Sequence, residues 1–67
     1  MSAFDDNETG VKYYLNQDYN NALIYFKSAV SKNPGDKVMQ YNLGNTHFAL
    51  SQFNESVICY KKAILID

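Results

Sequence analysis

Residues 38–50 read V-M-Q-Y-N-L-G-N-T-H-F-A-L, a stretch without proline in which apolar side chains recur at helical spacing. Met39, Leu43, His47 and Leu50 fall on one face of such a helix, and Val38, Tyr41, Asn45 and Phe48 on another. A helix that packs on one side needs only one of these stripes. Two stripes predict a helix enclosed by neighbours that still presents an aromatic surface.

Working outward, the flanking sequence predicts three more helices. Asn33-Pro34-Gly35-Asp36 is the strongest punctuation in the chain. Proline and glycine stop a helix that runs over 19–32, with Ala22, Leu23, Phe26, Ala29 and Val30 as its packing stripe, and Asp36 caps the helix after it. Asn16-Gln17-Asp18 breaks the pattern again, with Asp18 as N-cap. Before it, Ser2-Ala3-Phe4-Asp5 has capping-box spacing, with Asp in place of Glu, and opens a helix over 3–15. Ser51-Gln52 forms the remaining turn. The last helix, over 53–66, repeats the second with Ser56, Val57, Tyr60, Ala63 and Ile64.

The two halves repeat at a fixed offset. Gly10 and Gly44 stand 34 residues apart, and the same offset pairs Tyr14 with Phe48, Tyr19 with Phe53, Ala22 with Ser56, Ile24 with Ile58, Phe26 with Tyr60 and Ala29 with Ala63. A 34-residue period with two helices per unit resembles the tetratricopeptide repeat. Gly10, Tyr13, Ala22, Phe26, Ala29 and Pro34 match that family's places in the first unit, and Leu43-Gly44, Ser56, Tyr60 and Ala63 match them in the second. The family's early tryptophan place instead holds Asp6 and Gln40, and its aromatic place after Gly44 holds His47. The expected fold is all-α, with four antiparallel helices in two helix-turn-helix repeats forming a short α-solenoid segment without a capping helix. It makes one domain, residues 1–67, with repeat one at about 3–36 and repeat two at about 37–67.

The resemblance implies a protein-protein interaction module whose first helices line a concave groove for a peptide or protein partner. The lining places carry over to Phe4, Asn7, Val11 and Tyr14, and to Val38, Tyr41, Asn42, Asn45 and Phe48. Aromatics anchor desolvated contacts, and asparagine amides bond to peptide backbone. A carboxylate clamp fits poorly, because the family's lysine places hold Asn7 and Tyr41. Stacked repeats need polar caps, yet Leu65 and Ile66 replace Ser31 and Lys32 on the last helix. With Ile58 they predict self-association as a homo-oligomer, a dimer or larger. Two alternatives are a purely structural oligomerisation module and the N-terminal fragment of a longer repeat scaffold.

Composition and single residues exclude other classes. A net charge of −1 with no arginine lacks the basic stripe of a nucleic-acid binder. Hydrophobic residues, 46% of the chain, are scattered too evenly for a membrane span. One cysteine, Cys59, and an acidic start without a charged-then-apolar leader lead to an expected cytoplasmic setting. One histidine, His47, provides no metal cluster, and His47 and Cys59 both occupy packing places rather than a thiol-catalytic pair, so neither an enzyme nor a cofactor is expected.

Overall fold

Three of the four helices begin where a side chain satisfies a backbone N–H group left free at the helix start. The computed structural model describes residues 1–66, and Asp67, expected to close the second repeat, lies outside the described residues. Helix α1 spans Ala3–Leu15, α2 Tyr19–Lys32, α3 Lys37–Ala49 and α4 Phe53–Leu65. The first two match the expected bounds. Helix α3 begins and ends one residue earlier than expected, and α4 ends one residue earlier because Ile66 is its C-cap.

Ser2 and Asp5 form a reciprocal capping box, in which the Asp5 N–H donates to Ser2 Oγ over 3.0 Å. Asp18 Oδ1 accepts from the Asn21 N–H and Asp36 Oδ1 from the Met39 N–H. At the equivalent place before α4, Gln52 makes no cap bond; its Oε1 lies 2.7 Å from His47 Nδ1 instead. Helices α1 and α3 both stop at a left-handed residue, Gln17 and Ser51, each with φ 61°. The Asp18 N–H reaches back to the Tyr13 carbonyl and the Gln52 N–H to the His47 carbonyl, which closes the same C-terminal turn in both repeats.

Contacts along each hairpin show the helices running in opposite directions. Asp6 meets Ser28 and Lys32, Tyr13 stacks on Tyr25, and Tyr14 meets Tyr19 edge-on. In the second repeat Tyr41 lies against Tyr60 and Phe48 against Phe53. Helix α2 packs on α3 to join the repeats, and among the described residues all regular structure is helical. The core is Ala22, Phe26, Leu43 and Cys59, with Val11, Tyr13, Tyr14, Leu23 and Val30 around it.

The small residues sit where the helices come closest. A Cβ at Gly10 would lie 2.7 Å from two Phe26 ring carbons, and one at Gly44 would lie 2.7 Å from Tyr60 and 3.2 Å from the Cys59 Cβ. Phe26 is enclosed, 1% exposed, whereas Tyr60 is only half-buried.

Both departures from the tryptophan place are buried and hydrogen-bonded rather than loosely packed. Asp6 Oδ2 accepts from Ser28 Oγ and from Lys32 Nζ, each at 2.7 Å, tying α1 to α2. Gln40 Nε2 donates to the Pro34 carbonyl and ties α3 to the turn before it. Hydrogen bonds from Lys32 and Ser28 hold the Asp6 carboxyl below its ordinary value of 3.8 against the opposing effect of burial. Among the described residues one buried hydroxyl, Ser56 Oγ, has no hydrogen-bond partner, and it stands where the first repeat has Ala22.

Two outcomes follow from these contacts. Gly10→Ala gains up to about 1 kcal/mol of helix propensity but overpacks Phe26 at about 1–3 kcal/mol, so it lowers stability in urea titrations. Gly44→Ala should cost less, because the Tyr60 ring over it is only half-buried; equal losses would mean that both sites are equally confined. The Asp6 carboxyl, with its folded-state value depressed, contributes in full above its unfolded value of 3.8, and that contribution is lost as pH falls below it through the folded value. Asp6→Asn should therefore lower stability at neutral pH and flatten the acid limb of melting temperature against pH.

Candidate functional site

Helical arithmetic gives α3 three working faces. Met39, Leu43, Thr46 and Leu50 turn toward α2; Gln40, Gly44 and His47 turn toward α4; Val38, Tyr41, Asn45 and Phe48 remain for the outside. Burial agrees: Met39, Leu43, Thr46, Gln40, Gly44 and His47 are buried, Val38, Tyr41 and Phe48 are exposed, and Asn45 is half-buried. On α1, Phe4 is exposed while Asn7, Val11 and Tyr14 are half-buried.

The nine residues of the expected groove do not share one cavity. Val11, Tyr14, Asn42 and Asn45 meet over Phe26 in a small recess of about 90 Å3 between the two first helices. Val38, Tyr41 and Asn42 instead line a larger recess of about 650 Å3 with Lys37, Tyr60, Ala63 and Ile64, at the far end of the second repeat. Phe4 and Phe48 line neither, and Phe48 rests edge-on against Phe53.

Amide chemistry joins the repeats across this surface. Asn42 Nδ2 donates to Asn7 Oδ1 over 3.1 Å, linking α3 to α1. Tyr60 Oη donates to Asn45 Oδ1 over 2.6 Å, linking α4 to α3. Asn42 Oδ1, Asn7 Nδ2 and Asn45 Nδ2 have no hydrogen-bond partner among the described residues. An acceptor and two donors therefore remain around the recess. Burial, reinforced by Tyr19 and Tyr60, raises the Tyr14 phenol above its ordinary value, so it stays protonated and can donate.

Tyr60 belongs to this surface although its sequence place is that of a core wedge. The available signal was the exchange of Phe26 for Tyr60, since a hydroxyl at a packing place needs an acceptor. The residues expected from sequence to drive self-association are dispersed: Ile58 and Leu65 are exposed and Ile66 is half-buried. Ile58 is no barer than its counterpart Ile24, whereas Leu65 is 83% exposed. Val57 and Ile64, assigned by sequence to a packing stripe, are exposed as well, because among the described residues no helix follows α4 as α3 follows α2.

Neither reactive group is set up for thiol chemistry. Cys59 is buried, and burial raises its thiol despite Lys62 and Lys27. His47 Nδ1 is engaged by Gln52. Among the described residues no helix is long and apolar enough to cross a membrane.

The family model for the tetratricopeptide repeat matches residues 39–67. No curated protein matches the chain. That match covers the second hairpin, and the four helices in consecutive hairpins are consistent with two tandem tetratricopeptide-like repeats.

The Tyr60 hydroxyl tests whether the groove amides are held from below. Tyr60→Phe removes one hydrogen bond and should cost about 0.5–1.5 kcal/mol. It should also broaden or shift the Asn45 side-chain amide resonances. An unchanged Asn45 signal would show that the amide is positioned by something else.

Proposed function

We propose, from the premise of two tandem tetratricopeptide-like repeats, that this chain is an adaptor that binds an extended segment of a protein partner across α1 and α3. The observation that carries this is the set of amides around the recess over Phe26. The acceptor at Asn42 and the donors at Asn7 and Asn45 have the polarity to meet peptide carbonyl and N–H groups. Val11 and Tyr14 supply apolar contact within the recess. Phe4, Val38, Tyr41 and Phe48 flank it as exposed apolar anchors. A single buried thiol suits a reducing compartment, and we place the adaptor in the cytoplasm on that ground.

The exposed side chains of α4 support a second part of this reading, self-association through the end of the second repeat. If the α1/α3 surface were used up by copies of the chain, the protein would be a structural oligomerisation module and would take no external segment.

An array of extended peptides, each with one aromatic residue, probed with the full chain separates these readings. Binders should lose roughly tenfold or more in affinity when Asn42 and Asn45 are both replaced by alanine. Leu65→Lys, at an exposed place that lines neither recess, should leave them unchanged. Binding indifferent to the asparagines, or no peptide held above background, would overturn the groove.

A further inference from the structure

Five residue pairs are identical across the 34-residue offset: Gly10 and Gly44, Asn20 and Asn54, Ile24 and Ile58, Lys27 and Lys61, and Ala29 and Ala63. The glycines and alanines are buried at packing places, which accounts for them. The other three pairs are exposed in both repeats, Ile24 at 61% and Ile58 at 54%. Packing gives no reason for their identity. Their positions at i, i+4 and i+7 put asparagine, isoleucine and lysine on one stripe of α2 and again on one stripe of α4.

These stripes are bare because of the direction in which they point. Helix α2 packs on both α1 and α3, yet Asn20, Ile24 and Lys27 turn away from both, and Asn54, Ile58 and Lys61 hold the same places on α4. None of the six lines either recess. The stripes adjoin, since Lys27 of α2 and Lys62 of α4 both lie near enough to Cys59 for their charges to act on its thiol. A single exposed isoleucine needs no explanation. The same three residues at the same places of two adjoining helices make a surface.

The charge of that surface is one-sided. Helices α2 and α4 carry Lys27, Lys32, Lys61 and Lys62 against one acid, Glu55, in the first turn of α4. The helix dipole accounts for Lys32 and Lys62, which stand in last turns. Lys27 and Lys61 stand outside those turns, and whereas Lys32 is paired with Asp6, neither has an ion-pair partner among the described residues. A second copy laid on this face through the same stripes would bring lysine against lysine. A bilayer that took up Ile24 and Ile58 would carry Asn20 and Asn54 toward acyl chains, which offer their amides no partner. A polypeptide with carboxylates beside aliphatic side chains suits all three residue types.

We propose that the outer face of α2 and α4 docks an acidic amphipathic helix of a protein partner, with carboxylates on Lys27 and Lys61 and aliphatic side chains on Ile24 and Ile58. Isoleucine and lysine are three residues apart in each stripe, a separation that an aliphatic residue and a glutamate at i, i+3 on a facing helix would match. This face is separate from the α1/α3 surface and its occupancy does not depend on a segment bound there.

An array of synthetic helical peptides, with glutamate and leucine three or four residues apart on one face, tests it against the full chain. Binders should shift the amide resonances of Ile24, Lys27, Ile58 and Lys61, leave Asn7, Asn42 and Asn45 fixed, and weaken as salt is raised. Lys27→Glu with Lys61→Glu should cost roughly tenfold or more in affinity. Peptides with lysine in place of glutamate should then bind that double variant better than they bind the unmodified chain. Ile24→Ser with Ile58→Ser should weaken the glutamate peptides as well. All four places are exposed, and circular dichroism checks that helicity is kept. Should a variant lose it, peptides with glutamine in place of glutamate carry the test, since they should bind the unmodified chain roughly tenfold more weakly. No peptide held above background, equal binding of the glutamine peptides, or shifts confined to α1 and α3 would overturn the proposal. So would shifts of Ile24 and Ile58 seen only with phosphatidylserine vesicles, or only on concentrating the chain alone, which would assign the face to a membrane or to a second copy.

Discussion

Everything in this fold depends on how close two helices can come at a glycine. The Phe26 ring lies directly over Gly10 with no space for a Cβ, and the Tyr60 ring lies over Gly44 in the same way. That approach sets the hairpin angle in each repeat and lets one aromatic ring fill the wedge between helices. It also fixes which face of α2 remains for α3, and hence how the repeats stack. Ala22 and Ala29, both fully enclosed, keep the rest of the seam narrow. In so short a chain the core consists of little else, and its other constraints are local: Asp, Ser and turn backbone at the helix ends.

The exchange of tryptophan for Asp6 and Gln40 changes what holds the repeats together. A large ring at that place contributes area. Asp6 and Gln40 contribute direction, since a carboxylate between Ser28 and Lys32 and an amide on the Pro34 carbonyl each accept only one register. Breaking either pair leaves a buried polar group unsatisfied. Ser56 shows the contrast, a hydroxyl at a small-residue place with nothing to bond.

Much of this could be read from residues alone, and what could not has a common cause. Helix bounds follow from caps and from Pro34-Gly35, which act locally, and periodicity gives two of the three faces of α3; the third, with Gln40, Gly44 and His47, shows only once α4 is in place. Local chemistry does not say what lies on the far side of a stripe. Leu23 and Val57 occupy the same place in the repeat, yet one is covered and the other exposed, because only one has a helix beyond it. Gln17 and Ser51 adopt a left-handed backbone that neither residue type favours, and only the turn closing over each helix end reveals it. The groove divides in the same way. Its nine residues are exposed or half-buried, but whether they share a cavity depends on the stacking of α1 against α3, which spacing alone does not fix.

The polarity of the solenoid links these observations. A repeat protein adds units by presenting at one end the apolar stripe that its other end can cover. Here the first helix has given up that cover, with Asp5, Thr9, Lys12 and Asn16 in place of the residues α3 uses, while the last helix has kept its stripe in full. On the side of α3 away from α2 the second repeat is tied together differently: the hydrogen bond from Tyr60 to Asn45 and the packing of Tyr41 on Tyr60 join α4 to the outer face of α3.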